Sequence, residues 1–103
     1  MSIIYEVSLK IESHFKDDFL GWLSEHISEM LQLPGFVSAK LYEEADYGDI
    51  SIKHDYIVRY KLESKQTLSQ YFDQYASAMR KAGLKRFGNH FSASRRVMSQ
   101  INY

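Results

Sequence analysis

A chain of 103 residues with no cysteine and a formal charge of zero reads as one small domain, without disulfides or thiolate metal sites. Its apolar runs fall far short of the ~18 residues of a membrane span, and no secretory leader opens it, so a cytoplasmic protein with no membrane partner is expected. Residues 1–79 carry all 13 acids and seven bases, a balance of −6, whereas residues 80–103 carry six bases and no acid, a balance of +6. A basic tail can mark a nucleic-acid binder. A neutral domain lacks the overall field such a binder needs, and bases near a helix C-terminus complement its dipole, so no nucleic-acid partner is expected.

Residues 3–11 alternate, with Tyr5, Val7, Leu9 and Ile11 on one face and Glu6, Ser8 and Lys10 on the other, the pattern of a half-buried strand. Ser13 is placed to cap the helix that follows, and Asp17 and Asp18 lie near its positive end. Phe15, Phe19, Trp22, Leu23, Ile27, Met30 and Leu31 recur at three- and four-residue steps and form its apolar stripe. Pro34-Gly35 ends it. A second strand runs from Phe36 to Glu43, and the acidic stretch Glu44 to Ser51 reads as a turn or hairpin tip.

The third strand spans Ile52 to Leu62, with Tyr56, Val58, Tyr60 and Leu62 on one face and Ile57, Arg59 and Lys61 on the other. Ser64 caps a second helix whose stripe is Leu68, Tyr71, Phe72, Tyr75, Ala78, Met79 and Ala82. Gly83 or Gly88 ends it. Phe91 to Ile101 is the last strand. The order βαββαβ predicts a ferredoxin-like α+β fold: a four-stranded antiparallel sheet, first and third strands central, both helices on one face.

The other face is then left open. Strict alternation puts Ile4, Phe36, Tyr42 and Ile57 there among charged residues. An apolar patch that no helix covers predicts a homodimer interface, and a second copy stacked there would enclose a small cavity between the two sheets. RNA-binding domains of the same strand order stack bases on aromatics of this face, within a glycine-containing signature on the third strand. Here that strand reads KHDYIVRYKL, without glycine and with its tyrosines on the core side.

His26 falls on the stripe of the first helix, four residues after Trp22. It is either a cavity-lining acid, base or ligand contact, or a histidine hydrogen-bonded at the helix–sheet edge. Arg95 and Arg96 are adjacent on a strand and must point to opposite faces. One of them, or Arg59, would contact an anion in a cavity or form an ion pair with Glu6. The candidate ligand-binding set is therefore Trp22, His26, Arg59 and Arg95. No Ser/His/Asp set, paired-carboxylate motif or histidine spacing defines a catalytic or metal centre, and no cofactor is implied.

The segments IIYEVSLKI, WLSEHISEML, YFDQYASAMRKAGLKRFG and FSASRRV, with the pair Gly35-Phe36, resemble a family of short bacterial proteins known as a domain of unknown function. The positions that carry the resemblance are Trp22, His26, Ile27, Gly35, Phe36, Tyr71, Ala78, Arg80, Arg86, Phe87, Phe91, Ala93 and Arg95. The chain departs from the family at Ser28, where a proline is usual, and at Ser94 and Arg96, where an aromatic and a threonine are usual. The resemblance implies the dimeric α+β barrel form of the ferredoxin-like fold and brings no activity with it. Three functions compete: a homodimer that binds a small molecule, a cofactor-free or haem-dependent enzyme, and a protein-interaction module.

Overall fold

The structure, a computed structural model, describes residues 2–50 and 52–103; Ser51, the last residue of the predicted hairpin tip, lies outside them. The elements run β1 (Ile3–Ile11), α1 (Lys16–Met30), β2 (Phe36–Glu43), β3 (Tyr56–Leu62), α2 (Lys65–Gln74), α3 (Ala76–Phe87) and β4 (Phe91–Ser99). The four strands form one sheet in the order β2-β3-β1-β4, every pair antiparallel. This is the ferredoxin-like α+β fold that the double βαβ pattern predicts.

Alternation sets both sides of the sheet. Ile3, Tyr5, Leu9 and Ile11 of β1 and Tyr56, Val58, Tyr60 and Leu62 of β3 are buried beneath the helices. They meet Phe19, Leu23 and Met30 of α1, Leu68 and Tyr71 of α2, and Ala76 and Phe87 of α3. The core is dense in aromatic contacts, among them Phe19–Phe87 at 5.0 Å and Tyr5–Tyr71 at 5.8 Å between ring centroids. Edge-to-face and tilted pairs of this kind add about 0.5–1.5 kcal/mol each beyond burial.

Four features differ from the sequence reading, each for a local reason. Ser13 does not cap α1: residues 13–15 form a single 3-10 turn, and Phe15 stands at the cap position without a side-chain hydrogen bond. Phe36 does not lie on the open face. Its partner in β3 is Leu62, while Ser38 pairs with Lys61, so Val37 is an extra, bulged residue. A bulge reverses the alternation on one side of itself. Phe36 thereby turns into the core against Tyr60 and Tyr71, at 5.6 and 5.2 Å, and Val37 is left 54% exposed.

The predicted second helix is two helices broken at Tyr75, whose φ and ψ of −125° and −31° leave the helical range. The break rotates the apolar stripe. Ala76, Gly83 and Phe87 are buried, and Ala78 and Ala82 are exposed. Ser64 caps α2 as expected, in a reciprocal box with Thr67, and Gly88 closes α3 at φ +58°. Finally, β3 begins at Tyr56. The preceding chain is held by side chains instead: Glu44 accepts from the Lys53 and His54 backbone N–H groups, and Asp55 accepts from the Ile11 N–H at 2.7 Å.

Candidate functional site

A cavity of about 60 Å³ opens between the helix layer and the sheet. Its floor is Tyr5, Val7 and Leu9 of β1 and Val58 and Tyr60 of β3, the residues whose odd–even placement turns them toward the helices. Its walls are Phe19, Trp22, His26 and Met30, which recur along one side of α1, together with Tyr71 of α2 and Met79, Arg80 and Gly83 of α3. Phe91 and Arg95 of β4 complete the lining.

Gly83 is needed for the close approach of α3 to α1. A Cβ there would lie 3.0 Å from the Trp22 ring and 3.3 Å from that of Phe91. Trp22 lies in turn almost parallel to His26, with centroids 4.6 Å apart and planes inclined by 16°. The Nδ1 atom of His26 is sealed from solvent and has no hydrogen-bond partner among the described residues. Burial holds the imidazole below its ordinary pKa, with Glu29, one turn on, acting weakly the other way. His26 is accordingly neutral at pH 7.

The phenols beneath it respond to the same low polarity. Burial is the main cause in raising Tyr60, and it pushes Tyr71 up to about 12 even though Arg80 and Arg95 act to lower it. Both phenols are protonated donors throughout the physiological range. The cavity lining thus combines apolar side chains with neutral phenol donors and two arginines.

Three of the four candidate ligand-binding residues, Trp22, His26 and Arg95, line this one cavity. Arg59 is absent from it. It lies on the open face opposite Glu6 and donates to that carboxylate at 2.8 Å. The register also separates the adjacent arginines. Arg95 pairs with Val7 on the helix side, and Arg96 pairs with Glu6 on the open side. Sequence periodicity did not single out Arg80, Tyr71 or Tyr60 for the site. The first depends on the helix break, and the two tyrosines look like plain core.

Of the four residues proposed for a dimer interface, Ile4, Tyr42 and Ile57 lie on the open face and Phe36 does not. Met98, paired with Ile4, joins them. Shallow grooves run across this face, one bounded by Ile4, Tyr42, Arg59 and Met98 and another by Glu6, Ile57 and Arg96. Among the described residues no group of three or more histidines and carboxylates is arranged to hold a metal, and no helix is long and apolar enough to cross a membrane.

The chain is a ferredoxin-like α+β domain, of the fold seen in dimeric α+β barrels, with a cavity between its two layers. Residues 2–101 match the family described as a domain of unknown function, DUF4286, and the chain belongs to that family. No curated protein matches it in sequence. Solved structures of the same fold include SnoaB, a cofactor-independent oxygenase from Streptomyces nogalater, at 11% identity and TM-score 0.74, covering 99% of this chain and 95% of that one. An ethyl tert-butyl ether D (EthD) family protein from Bacillus halodurans superposes at 12% identity and TM-score 0.76, covering 98% and 100%. A dimeric ferredoxin-like protein of unknown function from Jannaschia superposes at 16% identity and TM-score 0.62, covering 93% and 98%. At these identities the likeness is one of fold.

Proposed function

We propose that the protein binds a small molecule in the helix–sheet cavity and works as a homodimer joined through its open sheet face. The observation that carries the first part is the convergence of Trp22, His26 and Arg95, from two elements far apart in sequence, on one partly apolar space. A buried histidine nitrogen without a partner is costly, and such costs are kept where a site uses them. The second part is supported by Ile4, Tyr42, Ile57 and Met98 on a face that no helix covers, and by the dimeric Jannaschia relative in fold.

A thermal-shift screen of small organic compounds, run in parallel on His26→Ala, tests the binding. Compounds that raise Tm in the native chain and lose most of that shift in the variant support it. A screen without hits, or hits indifferent to His26, sinks it. Light scattering at micromolar concentration tests the dimer, with Ile57→Glu as the disrupting variant; a monomeric native chain rejects it.

A second reading is a cofactor-free enzyme, favoured by the neutral His26 in the cavity and by the fold shared with SnoaB. Fold alone does not carry activity, so oxygen uptake in the presence of each screening hit is the relevant measurement. The haem-dependent form of this reading has less to support it, because a cavity of about 60 Å³ is far too small for a haem.

A further inference from the structure

We infer that the rim of the helix–sheet cavity is an anion site, and that the ligand is a small organic carboxylate whose apolar body is a short alkyl chain, smaller than a benzene ring. This rests on the cavity being a ligand site, and adds the charge, size and polarity of what enters.

The charge follows from the lining. It holds two arginines, Arg80 and Arg95, and neither an aspartate nor a glutamate. The other arginines on the sheet are matched: Arg59 and Arg96 both donate to Glu6. Arg80 and Arg95 have no carboxylate within ion-pair distance among the described residues. The Arg80 guanidinium lies over the face of Phe72, 6.0 Å from the ring centroid. Two guanidinium groups at one opening, with no acid to balance them, favour an anion, and the planar fork of arginine suits a carboxylate.

His26 adds a donor rather than a second charge. Its sealed Nδ1 has nothing to donate to, and a buried N–H without an acceptor is rare in proteins. The proton therefore belongs on Nε2, the nitrogen that is not enclosed in this way. The ring then carries a neutral N–H in a cavity that Tyr71 also lines.

Size and polarity follow from the interior. The space of about 60 Å³ is well below the roughly 150 Å³ of a cavity that encloses benzene. A benzene ring is therefore excluded, and a short alkyl chain would fill the space and leave its carboxylate in the mouth. Val7, Leu9, Phe19 and Met30 give the interior apolar surface, and the phenols of Tyr5 and Tyr60 are its polar groups.

Trp22 is the only tryptophan in the chain and lines the cavity, so its fluorescence reads occupancy directly. The probes are propionate, 1-propanol and inorganic phosphate, titrated against the intact protein. Propionate is expected to bind at least tenfold more tightly than 1-propanol. Arg95→Gln should remove most of that preference. Arg95→Lys, which keeps the charge, should retain it within a few fold, and circular dichroism of each variant confirms that it is folded. Equal binding of propionate and 1-propanol would overturn the anion site and leave the cavity reading standing. Phosphate binding as tightly as propionate would overturn the apolar body. If no probe perturbs Trp22, the cavity reading falls and this inference falls with it.

Discussion

Glu6 and Arg96 are cross-strand partners on the open face of the sheet, joined by an Arg96 Nε–H donating to the Glu6 carboxylate at 2.5 Å. Arg59 reaches the same carboxylate from β3, and Glu6 is 4% exposed. One acid in the centre of the sheet thus serves two arginines at its sides. The Arg96 hydrogen bond, opposed by burial and reinforced by Arg59, holds the Glu6 carboxyl below the ordinary carboxylate range.

The direction of that shift fixes a pH dependence. A carboxyl whose native pKa is depressed contributes stability that is present above its unfolded value and is lost as pH falls through the native one. Glu6→Gln removes the charge and is expected to cost about 1.5–3 kcal/mol at pH 7, the range for hydrogen bonds to charged groups. It should cost much less at pH 3. Urea unfolding at both pH values checks this; equal losses at both would show that Glu6 acts through packing alone.

The open face carries Lys10, Lys40, Arg59, Lys61 and Arg96 against Glu6, five bases and one acid, a local balance of +4. Two copies stacked through this face would bring like charges together around an apolar centre. Salt screens such repulsion and leaves apolar contact intact. The dimer dissociation constant should therefore fall several-fold between about 50 mM and 500 mM salt. Sedimentation equilibrium measures it, and a dimer that weakens with salt would mean that ion pairs hold the interface.

Phe36→Ala should cost about 3–5 kcal/mol, as for other buried phenylalanines, and act through the fold rather than the dimer. The aromatic packs on Tyr60 and Tyr71. Ile57→Glu should do the reverse, abolishing the dimer with less effect on monomer stability. Chemical denaturation and light scattering on the two variants separate these effects.

Phe36 also marks where the sequence stops being legible. Strict alternation sorts β1 and β3 correctly along their whole length, because they are central strands paired on both sides. It fails at the start of β2, an edge strand, where nothing in FVSAK announces the extra residue. The same limit hides Arg80. At about 100° per residue a continuous helix would put Arg80 half a turn away from Tyr71. The break at Tyr75 brings both to one cavity. Trp22 and His26 were legible from the unbroken period of α1, whereas adjacency left open which of Arg95 and Arg96 faces the helices. The meeting of Trp22, His26 and Arg95 between helices and sheet depends on the tertiary register that pairs Arg95 with Val7.

Gly83→Ala should destabilise by about 1–3 kcal/mol, although alanine favours helix, because the added methyl would crowd Trp22 and Phe91. The Trp22 emission should shift in the same variant. A stabilised Gly83→Ala protein with unchanged fluorescence would mean that α3 simply moves aside and that the cavity wall is soft.

His26 ties stability to pH through its burial. Its pKa is depressed by burial, so the unfolded chain takes up a proton near the ordinary value of about 6.5 while the native chain does not. Stability from this residue is full above that value and declines as pH falls toward the lower native pKa. Replacing the ring by one of similar shape with no nitrogen removes both this penalty and the orphaned Nδ1, while keeping a stacked partner for Trp22. His26→Phe should then be as stable as the native protein at pH 8 and more stable at pH 5, because substituting an unsatisfied polar group by an apolar one is neutral or favourable. Ligand binding should be lost at both pH values, since the Nε2 donor is gone. Denaturation midpoints at pH 5 and pH 8, with Trp22 fluorescence titrations alongside, measure the three outcomes together. A variant equally destabilised at both pH values, with binding retained, would make His26 an ordinary packing residue.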